Sequence, residues 1–560
     1  MASLMPMTMT MRVLFIGLLV ATGLPFAQPA NPPQAEDSGA GYRIAGIVQS
    51  KTDARPLSRA RVQITDVRNP QKFQFVITAE DGKFVFDHLP AGKYSLTGAK
   101  RGFISASYDQ HEQFSTAIVT GAGLETENLA LKLAPGAVIT GRVLDEAGEP
   151  VRHAELTLYS DNHQEGVDQI LPARNAMTDD LGAYEMTSLM PGTYFLSVRA
   201  TPWYATHSPS QVASSEPDAS GNSAITIDRS LDVAYPVTYY SDATEADSAA
   251  PIPVAGGERL QIDFHLNPVP ALHLLFRVRG DGQHGYSFPQ FEQPTFGGST
   301  FIQPTGVDMV SPGVFEISGI PAGRYNIRLQ GQGASTQMNG VDLAKDGEEI
   351  ASSAGEPMGS VRVLVQIPGD ASIPSKFTVA LRSKGTRLAA IRPVDEKGQV
   401  EFDQVAPGRY GMFVWGARKP YSIARVSADG AQVLGHTVTV TAGTSASVTL
   451  TVVPGNVEVQ GIVKRDRRAF AGAMVVLVPK NPEGNLDLFR RDQSDLDGTF
   501  SLRDVVPGAY TVLAIENGWD LNWSEPGVIA AYAKHGRLIQ VSDSNAKSLN
   551  LAEAIELQPK

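Results

Sequence analysis

One pattern recurs five times along the chain at fixed internal spacing, and it commits the chain to β-structure. With Φ for an apolar or aromatic residue, it reads Gly-x-Φ-x-Φ-x-x-Φ-x-x-Gly-x-Tyr-x-Φ. The first copy places Gly82, Phe84, Phe86, Leu89, Gly92, Tyr94 and Leu96 in that order. The second has Gly182, Tyr184, Met186, Leu189, Gly192, Tyr194 and Leu196. The third has Gly313, Phe315, Ile317, Ile320, Gly323, Tyr325 and Ile327, and the fourth Gly398, Val400, Phe402, Val405, Gly408, Tyr410 and Met412. The fifth has Gly498, Phe500, Leu502, Val505, Gly508, Tyr510 and Val512. A repeat of this kind marks one supersecondary unit used again and again.

The spacing has a mechanical reading. The first Gly follows a polar residue in several copies (Asp81, Asp497) and supplies the positive φ of a hairpin turn. Period-2 alternation after it describes a strand with one buried face. A Pro-Gly or Pro-Ala-Gly corner then turns the chain, and the Tyr opens the next strand. A tyrosine in that place is expected to bond its hydroxyl to nearby backbone, as at the corners of Greek-key sandwiches. The corner glycine, for example Gly192, is expected to need φ > 0, so that Gly192→Val would be strained. Phe103, Trp203 and Trp519 each stand nine residues after a repeat tyrosine. This shared offset predicts a packed position closing the sandwich edge.

Each copy follows a strand–turn–strand stretch, such as 42–48 with 60–64, 138–143 with 154–158, and 457–463 with 473–478. Pro135, Pro268 and Pro454 follow closing strands, and proline does not continue a central strand. The 560 residues therefore divide into expected units at 41–134, 135–268, 269–355, 356–454 and 455–560. Each is near the size of a typical domain and is expected to have its own core. The fold class is all-β: a tandem array of five Greek-key, prealbumin-like or Ig-like β-sandwiches, the third and fourth degenerate in their first hairpins. One short helix is expected over Ser524 to Lys534. Ahead of the array, residues 1–30 read as a signal peptide, with Arg12 before the apolar run Val13 to Ala21. Residues 31–40 read as a flexible leader. The run is too short to span a bilayer, and no membrane span is expected after cleavage. Export to the cell surface, periplasm or exterior follows.

The chemistry looked for is mostly missing. The net charge of −12 comes with no basic block, which argues against nucleic acid as a partner. Without cysteine there is no disulfide, thiolate metal site or cysteine nucleophile. No zinc-protease, nucleophile-elbow or phosphate-loop motif occurs. His265 and His273 flank a boundary and are not expected to bind metal; Asp492, Asp495 and Asp497 read as a polar turn rather than a calcium loop. No catalytic residue, metal or cofactor is expected. The candidate ligand contacts are aromatic residues outside the repeat: Trp523, Tyr204, the pair Tyr239 and Tyr240, and Phe291 and Phe296 from a stretch that also carries Phe288 and Phe301.

The unit Gly-x-Val, Ala-x-Val-x-Leu, Asp-x-x-Gly-x-Phe-x-Phe-x-x-Leu-Pro-x-Gly-x-Tyr-x-Leu resembles the carboxypeptidase regulatory-like domain, a transthyretin-like sandwich. That family is similar in fold to starch-binding-like and Cna-B-type modules. The resemblance implies a secreted, non-catalytic binding protein whose partner is a polysaccharide or a cell-surface protein. The alternative is a structural or adhesive scaffold that binds protein alone; an unrecognised hydrolase is the remaining class. The first strands carry no inward Lys, so no isopeptide bond of the Cna-B kind is expected.

Overall fold

Alternation of buried and exposed side chains decides the architecture. A computed structural model describes residues 41–207, 228–277, 288–329, 335–351, 355–369, 372–383, 390–416, 421–454, 457–542 and 547–560. The expected signal peptide and leader lie outside these. Among the described residues strand accounts for 57% and helix for 4%, against roughly a quarter and a third in an average soluble domain, so the fold is all-β. The helix expected near Ser524 is there as Pro526–Ala533, with proline in its first turn. Among the described residues no helix is long and apolar enough to cross a membrane.

The same pairing recurs around each copy of the repeat. The strand Tyr42–Ser50 lies antiparallel to Lys83–Leu89 and parallel to Leu129–Leu133. Ala137–Leu144 pairs in this way with Ala183–Leu189 and Arg259–Gln261, and Val269–Arg277 with Val314–Pro321 and Glu349–Ala351. Gly359–Gln366 takes Gln399–Val405 and Ser445–Pro454, and Val457–Arg465 takes Thr499–Val505 and Ser548–Asn550. A second sheet forms around the tyrosine-bearing strand. In the first copy Gly92–Ala99 lies between Arg61–Asp66 on one side and Ala106–Ser107 and Ile118–Thr120 on the other. Ile44, Val48, Phe84 and Phe86 of one sheet meet Val62, Ile64, Tyr94 and Leu96 of the other in one buried cluster.

Two details of the repeat now have a cause. All five tyrosine hydroxyls donate to the carbonyl four residues back: Tyr94 to Pro90 at 3.1 Å, Tyr194 to Met190 at 2.8 Å, Tyr325 to Pro321 at 2.7 Å, Tyr410 to Ala406 at 2.8 Å and Tyr510 to Val506 at 3.0 Å. Each ring is buried and its hydroxyl satisfied, which is what a buried tyrosine needs. The extra residue in Φ-x-Φ-x-x-Φ is a β-bulge. Register slips there in every copy, for example between Met186 and Leu189 where they face Ala137–Leu144. The bulge holds a residue at positive φ: His88, Ser188, Gly319, Gln404 and Asp504. The turn glycines Gly82, Gly182, Gly313, Gly398 and Gly498 also have φ between 68° and 81°. Gly192 does not, and a Cβ there would meet nothing closer than the Tyr194 ring at 4.0 Å. The strain expected at Gly192 is therefore absent; the bulge, one turn earlier, takes up the left-handed residue.

Packing is less segregated than the proline boundaries imply. Tyr159, Ile170 and Phe195, from the second sheet of the 135–268 stretch, pack in the cluster that holds Leu274, Phe291, Ile317 and Tyr325. Val237 and Tyr239 join them. The last unit also reaches back across the chain. Lys93 lies 2.5 Å from Asp495 and Arg491 2.7 Å from Glu112, and from the fourth stretch Arg382 lies 2.5 Å from Glu165. Ser524 N–H donates to the Gly166 carbonyl at 3.1 Å. The expectation that each stretch folds on a core of its own is corrected at these places: Tyr159, Ile170 and Phe195 share the next stretch's core, and ion pairs join stretches far apart in sequence.

Candidate functional site

The six aromatic residues singled out from sequence separate by burial. Tyr239 and Phe291 are fully buried, and Trp523 is 7% exposed. Phe296 is wedged among Tyr159, Phe195 and Tyr239, with ring centroids 5.1, 4.6 and 5.8 Å away. Trp523 lies under the Arg491 guanidinium at 4.4 Å and beside Phe489 at 5.5 Å. These four rings fill cores and leave no face for a ligand. Tyr240 is half-buried at the edge of the second core. Tyr204 is half-buried as well, two residues past Pro202, which lines a cleft.

The nine-residue offset also fails to define one position. Phe103 packs against the first core, and Trp519 stacks on His111 at 5.0 Å with 5° between planes. Trp203 is instead 82% exposed, so its offset reflects chain geometry and not packing. It stands edge-on to Tyr204, centroids 5.9 Å apart. Residues 200–204 have just left the strand Gly192–Arg199, and Pro202 is buried, which turns the two rings outward.

Thr201 and Pro202, just before the two rings, line a cleft of about 390 Å³ together with Arg152, Glu155, Arg199, His207, Tyr235 and Thr305 among others. Arg199 is ion-paired to Glu155, and its other nitrogen donates to the Phe301 carbonyl at 2.6 Å. Glu146 accepts from both Tyr204 and Tyr235, the latter at 2.9 Å. Partial burial alone would raise the Glu146 carboxyl, but the Tyr204 hydroxyl, a backbone N–H and the Tyr235 hydroxyl together outweigh it and hold it below its ordinary value. Burial and the same carboxylate push the Tyr204 hydroxyl up to about 12. Both tyrosines therefore stay protonated and fixed as donors to Glu146.

Behind the cleft runs a line of buried ionisable groups that sequence reading missed. His207 Nδ1 lies 2.8 Å from Asp232, whose other oxygen is 2.5 Å from His273 Nε2. His273 Nδ1 is 2.5 Å from Glu316, and its backbone N–H donates to Asp346 at 2.8 Å. Both His273 ring nitrogens face carboxylates, which suits the imidazolium. Burial pushes the His273 pKa down, the bonds to Glu316 and Asp232 push it up, and the net direction is up. Among the described residues no three His, Asp or Glu side chains converge to hold a metal. A raised histidine stabilises the fold below its unfolded value near 6.5, and that stabilisation is lost as pH rises through the folded value. The urea midpoint is therefore expected to fall on going from pH 6 to pH 9. His273→Gln should remove that fall; an unchanged slope in the variant would show that His273 is not its source.

The family model of the carboxypeptidase regulatory-like domain matches residues 43–131 and 138–228. No curated protein matches the sequence. Among solved structures, the Bacillus anthracis TIE protein is similar at 11% identity over 75% of this chain and 76% of its own, with a TM-score of 0.17. The minor pilin GBS52 of Streptococcus agalactiae is similar at 12% identity over 41% of this chain and 97% of its own, TM-score 0.21. The shaft pilin SpaA of Lactobacillus rhamnosus GG is similar at 9% identity over 41% and 98%, TM-score 0.18. The two family matches fall on the first two copies of the repeat, with their bulge, tyrosine bond and paired sheets, and the chain thus carries two carboxypeptidase regulatory-like domains in tandem.

Proposed function

We propose that this chain is an exported, non-catalytic array of β-sandwich modules, at 41–134, 135–268, 269–355, 356–454 and 455–560, that binds polysaccharide at the cleft beside Trp203. The observation that supports the reading is Trp203 itself, 82% exposed next to a polar cleft. A large ring left in water beside a pocket with convergent polar groups fits an interaction site. Its flat face suits the C–H face of a pyranose, and the Arg199–Glu155 pair and Arg152 are in reach of hydroxyls. Trp203→Ala is expected to weaken retention on a polysaccharide gel about tenfold, near 1.4 kcal/mol. Stability should stay within about 0.5 kcal/mol, since the ring packs on little. Affinity electrophoresis of the full chain against several polysaccharides is the test. Unchanged retention in the variant counts against the cleft, and release of reducing sugar counts for a hydrolase.

A second reading, an adhesive scaffold that binds protein, has one observation in its favour. Phe73, Phe75 and Ile77 lie on the strand Phe73–Ile77 and are 53%, 53% and 56% exposed. Among the described residues that strand pairs on one side only, with Arg61–Asp66. An apolar edge strand is a template for an added strand from a partner. Retention on no polysaccharide, with loss of a protein partner in Phe75→Lys, would favour it.

A further inference from the structure

On each tyrosine-bearing strand, the residues one, three and five places after the tyrosine point away from the core. In the last unit these are Thr511, Leu513 and Ile515, all buried, the latter two under Trp523 and Ile529. In the second, Phe195 lies under Phe296. In the fourth they are Gly411, Phe413 and Trp415, and no described segment covers the two rings in the same way. Trp415 is 45% exposed, and Ile391, on the strand two over in the same sheet, is 52% exposed. The rings of Phe413 and Trp415 are nearly parallel, 16° apart, with centroids at 6.2 Å. They form a stacked apolar ledge, with Trp415 as its exposed end.

The Phe413 end of the ledge opens on a cleft of about 330 Å³ between this sheet, residues 165–169 and the last unit. Ligand pockets are usually roughly 300–1,000 Å³. Arg382 stacks over Phe413 at 4.5 Å and is held by Glu165 at 2.5 Å. His436 is held by Asp487 at 2.7 Å. The exposed charges left over are Arg409 against Glu483 and Glu525, so the cleft does not draw in an acidic chain. A ligand that needed Arg382 as its counter-ion would have to displace Glu165, leaving a half-buried carboxylate unpaired. Paired, fixed donors and acceptors next to an exposed indole suit a neutral ligand with alternating hydroxyl and C–H faces.

From this we propose a second ligand site, the Phe413–Trp415 ledge with its adjoining cleft, which takes a neutral oligosaccharide of pyranose units. It rests on the polysaccharide reading above but shares no residue with the Trp203 cleft. Two sites on one chain would raise avidity for a polymer well above either alone.

The test uses the full chain labelled with 5-fluorotryptophan, its four indole resonances assigned through Trp→Phe variants. The probes are neutral hexasaccharides of glucose in α and β linkage, of xylose and of mannose, and an acidic galacturonate hexasaccharide. The expected result is a saturable shift of the Trp415 resonance with a neutral probe, Trp519 and Trp523 staying still. Trp415→Ala should weaken that binding about tenfold with the thermal midpoint unchanged. Movement of Trp203 alone would overturn this site and leave the first standing; movement of Trp415 alone would do the reverse. No movement with any probe would end both, and a shift with the acidic probe only would overturn the neutral class. Self-association abolished by Trp415→Ala would assign the ledge to a second copy of the chain.

Discussion

Gly141→Ala is expected to cost the second unit about 3 kcal/mol or more. Gly141 lies mid-strand in Ala137–Leu144, where a Cβ would sit 1.7 Å from the Ile262 carbonyl oxygen and 2.9 Å from the Tyr184 ring. Neither neighbour is a flexible chain end. The Ile262 carbonyl accepts the Tyr184 hydroxyl at 2.7 Å, and Ile262 N–H donates back to Thr140 at 2.8 Å. Admitting one methyl therefore means moving the parallel strand and breaking that bond, beyond the usual roughly 1–3 kcal/mol of overpacking. The geometry repeats: a Cβ on Gly46 would meet the Leu129 oxygen at 2.1 Å, and one on Gly461 the Phe500 ring at 2.6 Å. In each case an aromatic ring directly across the ladder lies over the glycine. Gly192→Ala is the control, with open space and no positive φ, and should stay within about 1 kcal/mol. Urea unfolding with limited proteolysis separates the two. Early cleavage inside 135–268 is expected for Gly141→Ala alone, and equal behaviour of the variants would refute the close-approach argument.

The contrast between Gly141 and Gly192 shows what the sequence could tell. The repeat was readable because period-2 alternation and glycine turns are local, and the hydroxyl bond of each tyrosine spans only four residues. The bulge was present in the spacing, as the doubled x before Leu89 and its counterparts, but its left-handed residue is His88 in one copy and Gln404 in another, types that carry no turn signal. The demand on Gly141 comes from Ile262, across a parallel ladder, and nothing near Gly141 announces it. The ligand candidates failed for the same reason. Trp523 looked free because it lies outside the repeat and its nine-residue offset, yet Gly166 and Arg491 bury it from elsewhere in the chain. Trp203 looked packed because it shared an offset with Phe103 and Trp519, yet it is exposed among the described residues. Exposure is set by long-range contact, and an offset within one strand and loop does not encode it. The paired His273, Asp232 and Glu316 were equally out of reach, since they converge from separate strands and loops.

Arg491→Ala should loosen the contact that ties the last unit to the first while leaving both cores folded. The Arg491 side chain is 4% exposed and that of its partner Glu112 15%. Its two terminal nitrogens reach the two Glu112 oxygens at 3.2 and 2.7 Å, and one also donates to the Gln164 carbonyl at 2.9 Å. The guanidinium further lies 4.4 Å from the Trp523 ring centroid and 5.2 Å from that of Phe114. Removing one partner of a buried pair costs about 3–5 kcal/mol, largely because the other charge is left without a counter-ion. Here Glu112 sits in a loop, residues 108–117, and it can regain water by leaving the interface. The loss should therefore appear as opening, not as unfolding of either sandwich. Lys93 to Asp495 at 2.5 Å, Gln493 to Thr116 at 2.8 Å and to the Asp109 carbonyl at 2.6 Å, Ala117 N–H to Asp495 at 3.0 Å and the stack of Trp519 on His111 all remain, so the opening is expected around Glu112 and not across the whole contact. Expected observations are faster proteolysis within 108–117 and an unchanged far-ultraviolet dichroism spectrum. Glu112→Gln combined with Arg491→Ala should cost less than the sum of the two alone, because the uncompensated carboxylate is gone. Strict additivity would show that the pair is not coupled, and a variant with unaltered proteolysis would show that the interface does not depend on it.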